Sequence, residues 1–145
     1  RPPRSTLFPY TTLFRSKPDV VICAGDHSKD GEELSFVCPN SKYYIVRGNC
    51  DIFDRKYDDE MVFELEGLKI LLAHGHEYRV KYNYISIEER GKLLGCDIVI
   101  FGHTHIQYLF SKNGITLFNP GAVYGREYGI LEIDGGKFQF YHKSI

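Results

Sequence analysis

The sequence predicts an α/β fold, on three observations. Apolar runs of strand length recur along the chain, and several of them stop at a glycine followed by a polar residue. The runs Val20–Ala24, Tyr43–Arg47 and Asp97–Phe101 are apolar almost throughout, as suits strands buried on both faces. Stretches with helical signals lie between such runs, which is the alternation of a parallel sheet with crossover helices.

Taken in order, Val20–Ala24 stops at Gly25-Asp26, and Tyr43–Arg47 stops at Gly48-Asn49-Cys50-Asp51. A short helix is predicted between them over Glu32–Val37, ended by Pro39 and Asn40, so the segment reads as a βαβ unit. Met61–Leu65 and Lys69–Ala73 flank Glu66-Gly67 as a hairpin whose second strand runs into His74-Gly75-His76. Ser86 and Glu89 have capping-box spacing for a helix carrying Ile87, Leu93 and Leu94, with Gly95 at its C-terminal cap. Asp97–Phe101 then ends at Gly102-His103-Thr104-His105. Ile115–Phe118, Gly129–Ile133 and Phe138–His142 are the remaining strands, the last two joined by Asp134-Gly135-Gly136.

With 145 residues, the chain fits one domain, which at this size buries roughly 68–70% of its unfolded surface. Apolar residues at 43% and charged residues at 26% argue against disorder, and no run approaches the roughly 20 apolar residues of a membrane helix. Eighteen basic against nineteen acidic residues give a net charge of -1, with no basic run suited to a nucleic-acid backbone. The aromatic content reads as core and sheet packing rather than a base-stacking platform. Cys23, Cys38, Cys50 and Cys96 form no C-x-x-C pair and read as reduced thiols of a cytoplasmic protein.

Residues 1–16 stand apart. RPPRSTLFPYTTLFRS carries Pro and Arg, no acidic residue and no starting Met, and it is similar, residue for residue, to the translation of a common short-read sequencing adapter. It is expected to be a non-native segment, with the domain running over 17–145.

In an open α/β sheet, the carboxyl ends of the strands converge on one crevice where ligands bind. Asp26, Asn49, His74, His76, His103 and His105 all fall at such ends, and this mix of carboxylate, amide and imidazole suits Mn, Fe, Zn or similar divalent ions. In each H-x-H pair, side chains two apart on extended backbone point the same way. Any one of these residues alone reads as a surface or capping group, but the set of them reads as a metal site. His27 and His142 are given ordinary structural roles.

Gly25-Asp26, Gly48-Asn49-Cys50-Asp51, His74-Gly75-His76, Gly102-His103-Thr104-His105 and Asn119-Pro120-Gly121, in that order, resemble the calcineurin-like metallophosphoesterases, and within them the small bacterial and archaeal phosphodiesterases. The resemblance covers nearly all of 17–145. It implies a four-layer α/β/β/α sandwich and two divalent ions, Mn first, with Fe, Zn, Ni and Mg as alternatives. It implies that Asp26 bridges them, that Asn49, His74 and His103 complete one site, and that His105 belongs to the other. The D-x-H motif that completes the second site in the family is missing, so the domain is expected to lack its first strand and helix.

The activity implied is a phosphodiesterase that hydrolyses a small phosphate ester through a hydroxide bridging the two metals. Many members carry His where this chain has Cys50, a poor proton donor, which leaves His76 as the next candidate acid. Asp51 reads either as an acceptor that orients a ligand imidazole or as a helix cap or surface acid, while Arg126 and Asn119 are candidate substrate contacts. Two alternatives are a non-catalytic metal-binding or interaction scaffold, since a retromer subunit shares this family's fold, and an inactive fragment. No membrane or nucleic-acid partner is expected, and a homo-oligomer is left open.

Overall fold

The run Val20–Cys23 (β1) forms a parallel pair with Lys42–Ile45 (β2), joined by a right-length crossover through the helix Ser28–Val37 (α1), as the βαβ reading expects. The computed structural model describes residues 18–26, 28–51 and 55–144, so segment 1–16 and His27 lie outside the described residues. Helix α1 starts four residues before the expected Glu32. An acid distant in sequence explains the early start: the Asp51 carboxylate accepts the Ser28 amide at 3.2 Å and so serves a free N–H of the first turn.

A five-stranded sheet follows, in the order β3-β4-β5-β7-β6, built from Glu60–Leu65 (β3), Leu68–Ala73 (β4), Ile98–Phe101 (β5), Tyr108–Lys112 (β6) and Ile115–Asn119 (β7). The central pairs β4–β5 and β5–β7 are parallel, and both edge strands join as hairpins. Glu127–Asp134 (β8) and Lys137–Ser144 (β9) make a separate antiparallel pair.

Alternation along the strands sorts the core into two layers. Leu71, Ala73, Val99, Phe101, Ile115 and Leu117 face the helix Ile85–Leu93 (α2) through Ile87. Ile70, Leu72, Ile98, Ile100 and Phe118 face the opposite way, onto Tyr44 and Val46 of the β1–β2 unit and Phe140 of β9. Each fully buried Val, Leu or Ile contributes about 1.5–3 kcal/mol, so these two faces are the main source of stability. On the far side of β1–β2, the Tyr43 hydroxyl donates to the Leu34 and Cys38 carbonyls of α1 and its end. The layers are therefore helix, sheet, sheet, helix.

Two expectations are corrected. The capping box at Ser86 does not form: α2 begins at Ile85, placing Ser86 inside the helix, and the Asn83 side chain takes the Ile85 amide instead at 3.0 Å. Leu93 does not reach the core and is 78% exposed, while Gly95 takes the left-handed turn after the helix as expected, with φ 70°. Strand β6 was not foreseen at all.

Candidate metal centre

Four polar clusters sit just past the ends of β1, β2, β4 and β5, where parallel strands deliver their carboxyl ends to one side of the sandwich. At their centre is His74, 2% exposed. Its Nδ1 lies 2.8 Å from the Ala24 carbonyl oxygen, which can only accept, so Nδ1 carries the proton and Nε2 is left with a lone pair. That lone pair faces Asn49 Oδ1 at 2.9 Å, His103 Nδ1 at 3.1 Å and Asp26 Oδ2 at 3.3 Å.

Four electron-pair donors thus converge with few protons to share among them. Atoms bound about 2.0–2.2 Å from a common ion lie about 2.9–3.5 Å from one another, and the three separations around Nε2 fall in that range. The donor set fits a divalent cation. Gly25 makes the approach possible: with φ 92° it adopts a left-handed turn, and a Cβ there would sit 2.6 Å from His74 Nδ1.

The electrostatics keep the candidate ligands in binding form. Burial works to raise the Asp26 carboxyl, but the Cys50 amide at 2.8 Å, the neighbouring imidazoles and the Cys50 thiol outweigh it and hold it below the ordinary carboxylate range. Burial also pulls His74 down. For His103, burial first and then the charges of His74, Lys81 and His76 lower the imidazole to about 4.

An imidazole free in the unfolded chain titrates near 6.5, so between about pH 6.5 and about pH 4 the unfolded state holds the extra proton. Folding stability is therefore expected to fall as pH drops through that window. Denaturant melts with chelator present, at pH 7 and pH 5, should show a larger loss for the wild type than for His103→Asn, which removes the group while tolerating the left-handed backbone. Equal losses in the two proteins would contradict this account of His103.

The remaining candidates divide. His105 is exposed and makes no hydrogen bond or ring contact with any described residue. The His76 ring stands 5.4 Å from that of His74 and 6.2 Å from that of His103, and its Nδ1 is buried without a hydrogen-bond partner among the described residues. The turn that carries it, His76–Tyr78, is fastened by the Tyr78 hydroxyl donating to Glu60, itself bound by Arg90 at 2.7 Å. Burial first, then Glu60, pushes the Tyr78 phenol up to about 12. Cys50 is exposed, and its hydrogen bond to Asp26 raises the thiol further from the range of a useful acid.

Among the described residues, Asp51 orients no imidazole. Its two oxygens accept the backbone amides of Gly48, at 2.9 Å, and Ser28, so it ties the Asn49 loop to α1, and the Ala24 carbonyl does the orienting. Asn119 is 0% exposed and its amide is used inside the protein, which directs it away from substrate. Arg126 is exposed, in a left-handed conformation after the turn Val123–Gly125, and no contact links its side chain to the cluster.

Sequence reasoning missed Asp59 and Glu77, whose carboxylates lie with His76 so that one donor atom from each is within 4.8 Å of the others. Arg47 already grips Asp59 through two contacts of 3.0 and 3.1 Å, and that charge offsets what a cation there would need.

The architecture is an α/β sandwich with carboxylate, amide and imidazole gathered at its strand ends, a donor set of the kind that holds divalent ions. The chain belongs to the calcineurin-like phosphoesterase superfamily, whose domain model matches residues 9–136. It is 35% identical over 109 residues to a probable metallophosphoesterase of Mycoplasma pneumoniae, covering 73% of this chain and 64% of that protein. It is 33% identical over 134 residues to the probable metallophosphoesterase YsnB of Bacillus subtilis, covering 87% and 76%. The chain thus spans under two thirds of the Mycoplasma relative's length.

In fold, it is similar to a conserved Streptococcus pneumoniae protein described as a predicted phosphoesterase (TM-score 0.79, 24% identity, 96% of this chain and 82% of that one). It is also similar to Vps29 of Entamoeba histolytica in complex with zinc (TM-score 0.77, 22% identity, 99% and 93%). No helix among the described residues is long and apolar enough to cross a membrane.

Proposed function

We propose that the chain is a divalent-metal-dependent phosphodiesterase acting on a small phosphate ester, with Asp26, Asn49, His74 and His103 holding one ion and His105 serving a second. The observation that carries this reading is the convergence of three donor atoms on the unprotonated Nε2 of His74. Divalent ions bound there supply charge stabilisation for the phosphoryl group and an activated water, and Mn is the ion to try first.

The chain's own residues do the rest. Cys50 N–H holds Asp26 in place, and Asn49 adds a ligand without adding negative charge, which preserves the site's attraction for phosphate. Lys81, whose charge reaches both His103 and Cys50, adds to that attraction. His76 is the candidate proton donor to the leaving group. His105 and the Asp26 carboxylate would be donors to the second ion from this chain.

The test is Mn²⁺ uptake by the purified chain together with hydrolysis of an activated aryl phosphodiester. Metal-dependent product release that a chelator abolishes is the expected result. A chain that binds no divalent ion sinks the reading, and one that binds metal without any turnover supports the scaffold reading.

A further inference from the structure

The loop that carries two of the candidate ligands is bent in a way its residues resist. His103 and His105 both lie in the left-handed region, with φ 67° and 60°, on either side of Thr104. Side-chain-bearing residues persist in that region only where their surroundings over-determine it. The first anchor is backbone: the Gly102 amide donates to the His74 carbonyl at 3.0 Å.

The second anchor is Asn119, the last residue of β7 and wholly buried. Its Nδ2 donates to the Gly102 carbonyl at 3.0 Å and to Thr104 Oγ1 at 2.9 Å, while its Oδ1 accepts the Gly121 amide at 2.9 Å. Thr104 Oγ1 also accepts the Ile106 amide at 3.1 Å, so one hydroxyl ties the middle of the loop to its exit. Behind Asn119 stands His142 of β9. Its Nε2 is 2.8 Å from the Asn119 carbonyl, and its ring stacks on Phe118 with centroids 4.7 Å apart. A continuous set of contacts therefore runs from the C-terminal hairpin through Asn119 to the histidine loop.

We propose that Asn119 and Thr104, backed by His142, are positioning residues that hold the Gly102–Ile106 loop in its doubly left-handed form and thereby set the affinity and geometry of the metal centre. The inference rests on the reading of His103 and His105 as metal ligands. The Asn119 amide and the Thr104 hydroxyl are engaged by the loop and its neighbours, so both act through the loop.

Co²⁺ titration followed by visible absorption tests this, because the spectrum reports coordination geometry as well as affinity. Thr104→Val keeps the side-chain shape and removes the hydroxyl. It is expected to weaken Co²⁺ binding roughly 10–100-fold, the usual loss when an outer partner of a ligand is removed, and to change the spectrum. Thr104→Ser, which restores the hydroxyl, should bind like the wild type. If Thr104→Val melts below the assay temperature, His142→Phe keeps the ring stacking and removes the bond to Asn119, with weakening expected toward the lower end of the same range. Wild-type affinity and spectrum in folded Thr104→Val, or in His142→Phe where that variant carries the test, overturn this inference alone. A wild-type chain that takes up no Co²⁺ overturns the metal-site reading and this inference with it.

Discussion

Gly48→Ala is expected to lower folding stability by about 1–3 kcal/mol and to weaken metal uptake in the same protein. A Cβ at this position would lie 2.2 Å from both the backbone nitrogen and Oδ1 of Asp26. Neither atom is the free end of a flexible side chain. The amide belongs to the main chain after β1, and the carboxylate oxygen is fixed by the Cys50 N–H at 2.8 Å. Gly48 itself cannot retreat easily, since its amide donates to Asp51, which is bound in turn to the start of α1. The clash is therefore relieved by moving Asp26 away from His74, so stability and metal affinity fall together. Urea melts and Mn²⁺ calorimetry on the same preparations check this. Gly125→Ala is the control: its nearest neighbour would be Glu127 Oε1 at 3.4 Å, an ordinary contact, and stability should stay within about 0.5 kcal/mol of wild type. If Gly48→Ala matches the control in both measurements, the close approach of the two loops is not a constraint.

The parallel strands were legible because burial on both faces leaves an unbroken apolar run, as in Ile98–Phe101, where all four residues are buried. The edge strand β6 was not, because Leu109, Phe110, Ser111 and Lys112 are all exposed and show neither a continuous run nor a clean alternation. A signal was present: Asn113-Gly114, with φ 54° and 79°, is the two-residue turn that closes the β6–β7 hairpin. The candidate ligands were legible for a related reason, since each lies within four residues of the end of a strand.

What could not be read was anything that depends on a fold-dependent meeting of distant residues. The acceptor for His74 is a backbone carbonyl 50 positions away, and Asp51 spends its carboxylate on amides, one of them 23 positions away. No side-chain pattern encodes either. Asn119 shows the same limit from the other side. Its place in an ordered motif suggests contact with substrate, whereas the structure saturates its amide with Gly102, Thr104 and Gly121.

His74→Ala is expected to have the largest effect on metal binding, beyond the roughly 10–100-fold that loss of an outer partner brings. Asn49, His103 and Asp26 all approach its Nε2, so truncation removes the one donor that contacts each of the other three. The apo protein should suffer as well. The Ala24 carbonyl loses its partner in a buried setting, which costs about 1–3 kcal/mol. His105→Ala separates the two effects, because that side chain is exposed and makes no hydrogen bond or ring contact with any described residue. It should leave apo stability within about 0.5 kcal/mol of wild type and weaken only the second ion. Melts with and without Mn²⁺ distinguish these cases. Ligand that binds only the folded state adds about 2.7 kcal/mol at a hundredfold excess over its dissociation constant, so the wild type should melt higher with metal and His74→Ala should not. A His74→Ala protein that keeps the full metal-induced rise would mean that the ion sits elsewhere, and the cluster around Nε2 would then have to be read as a hydrogen-bonded packing of side chains.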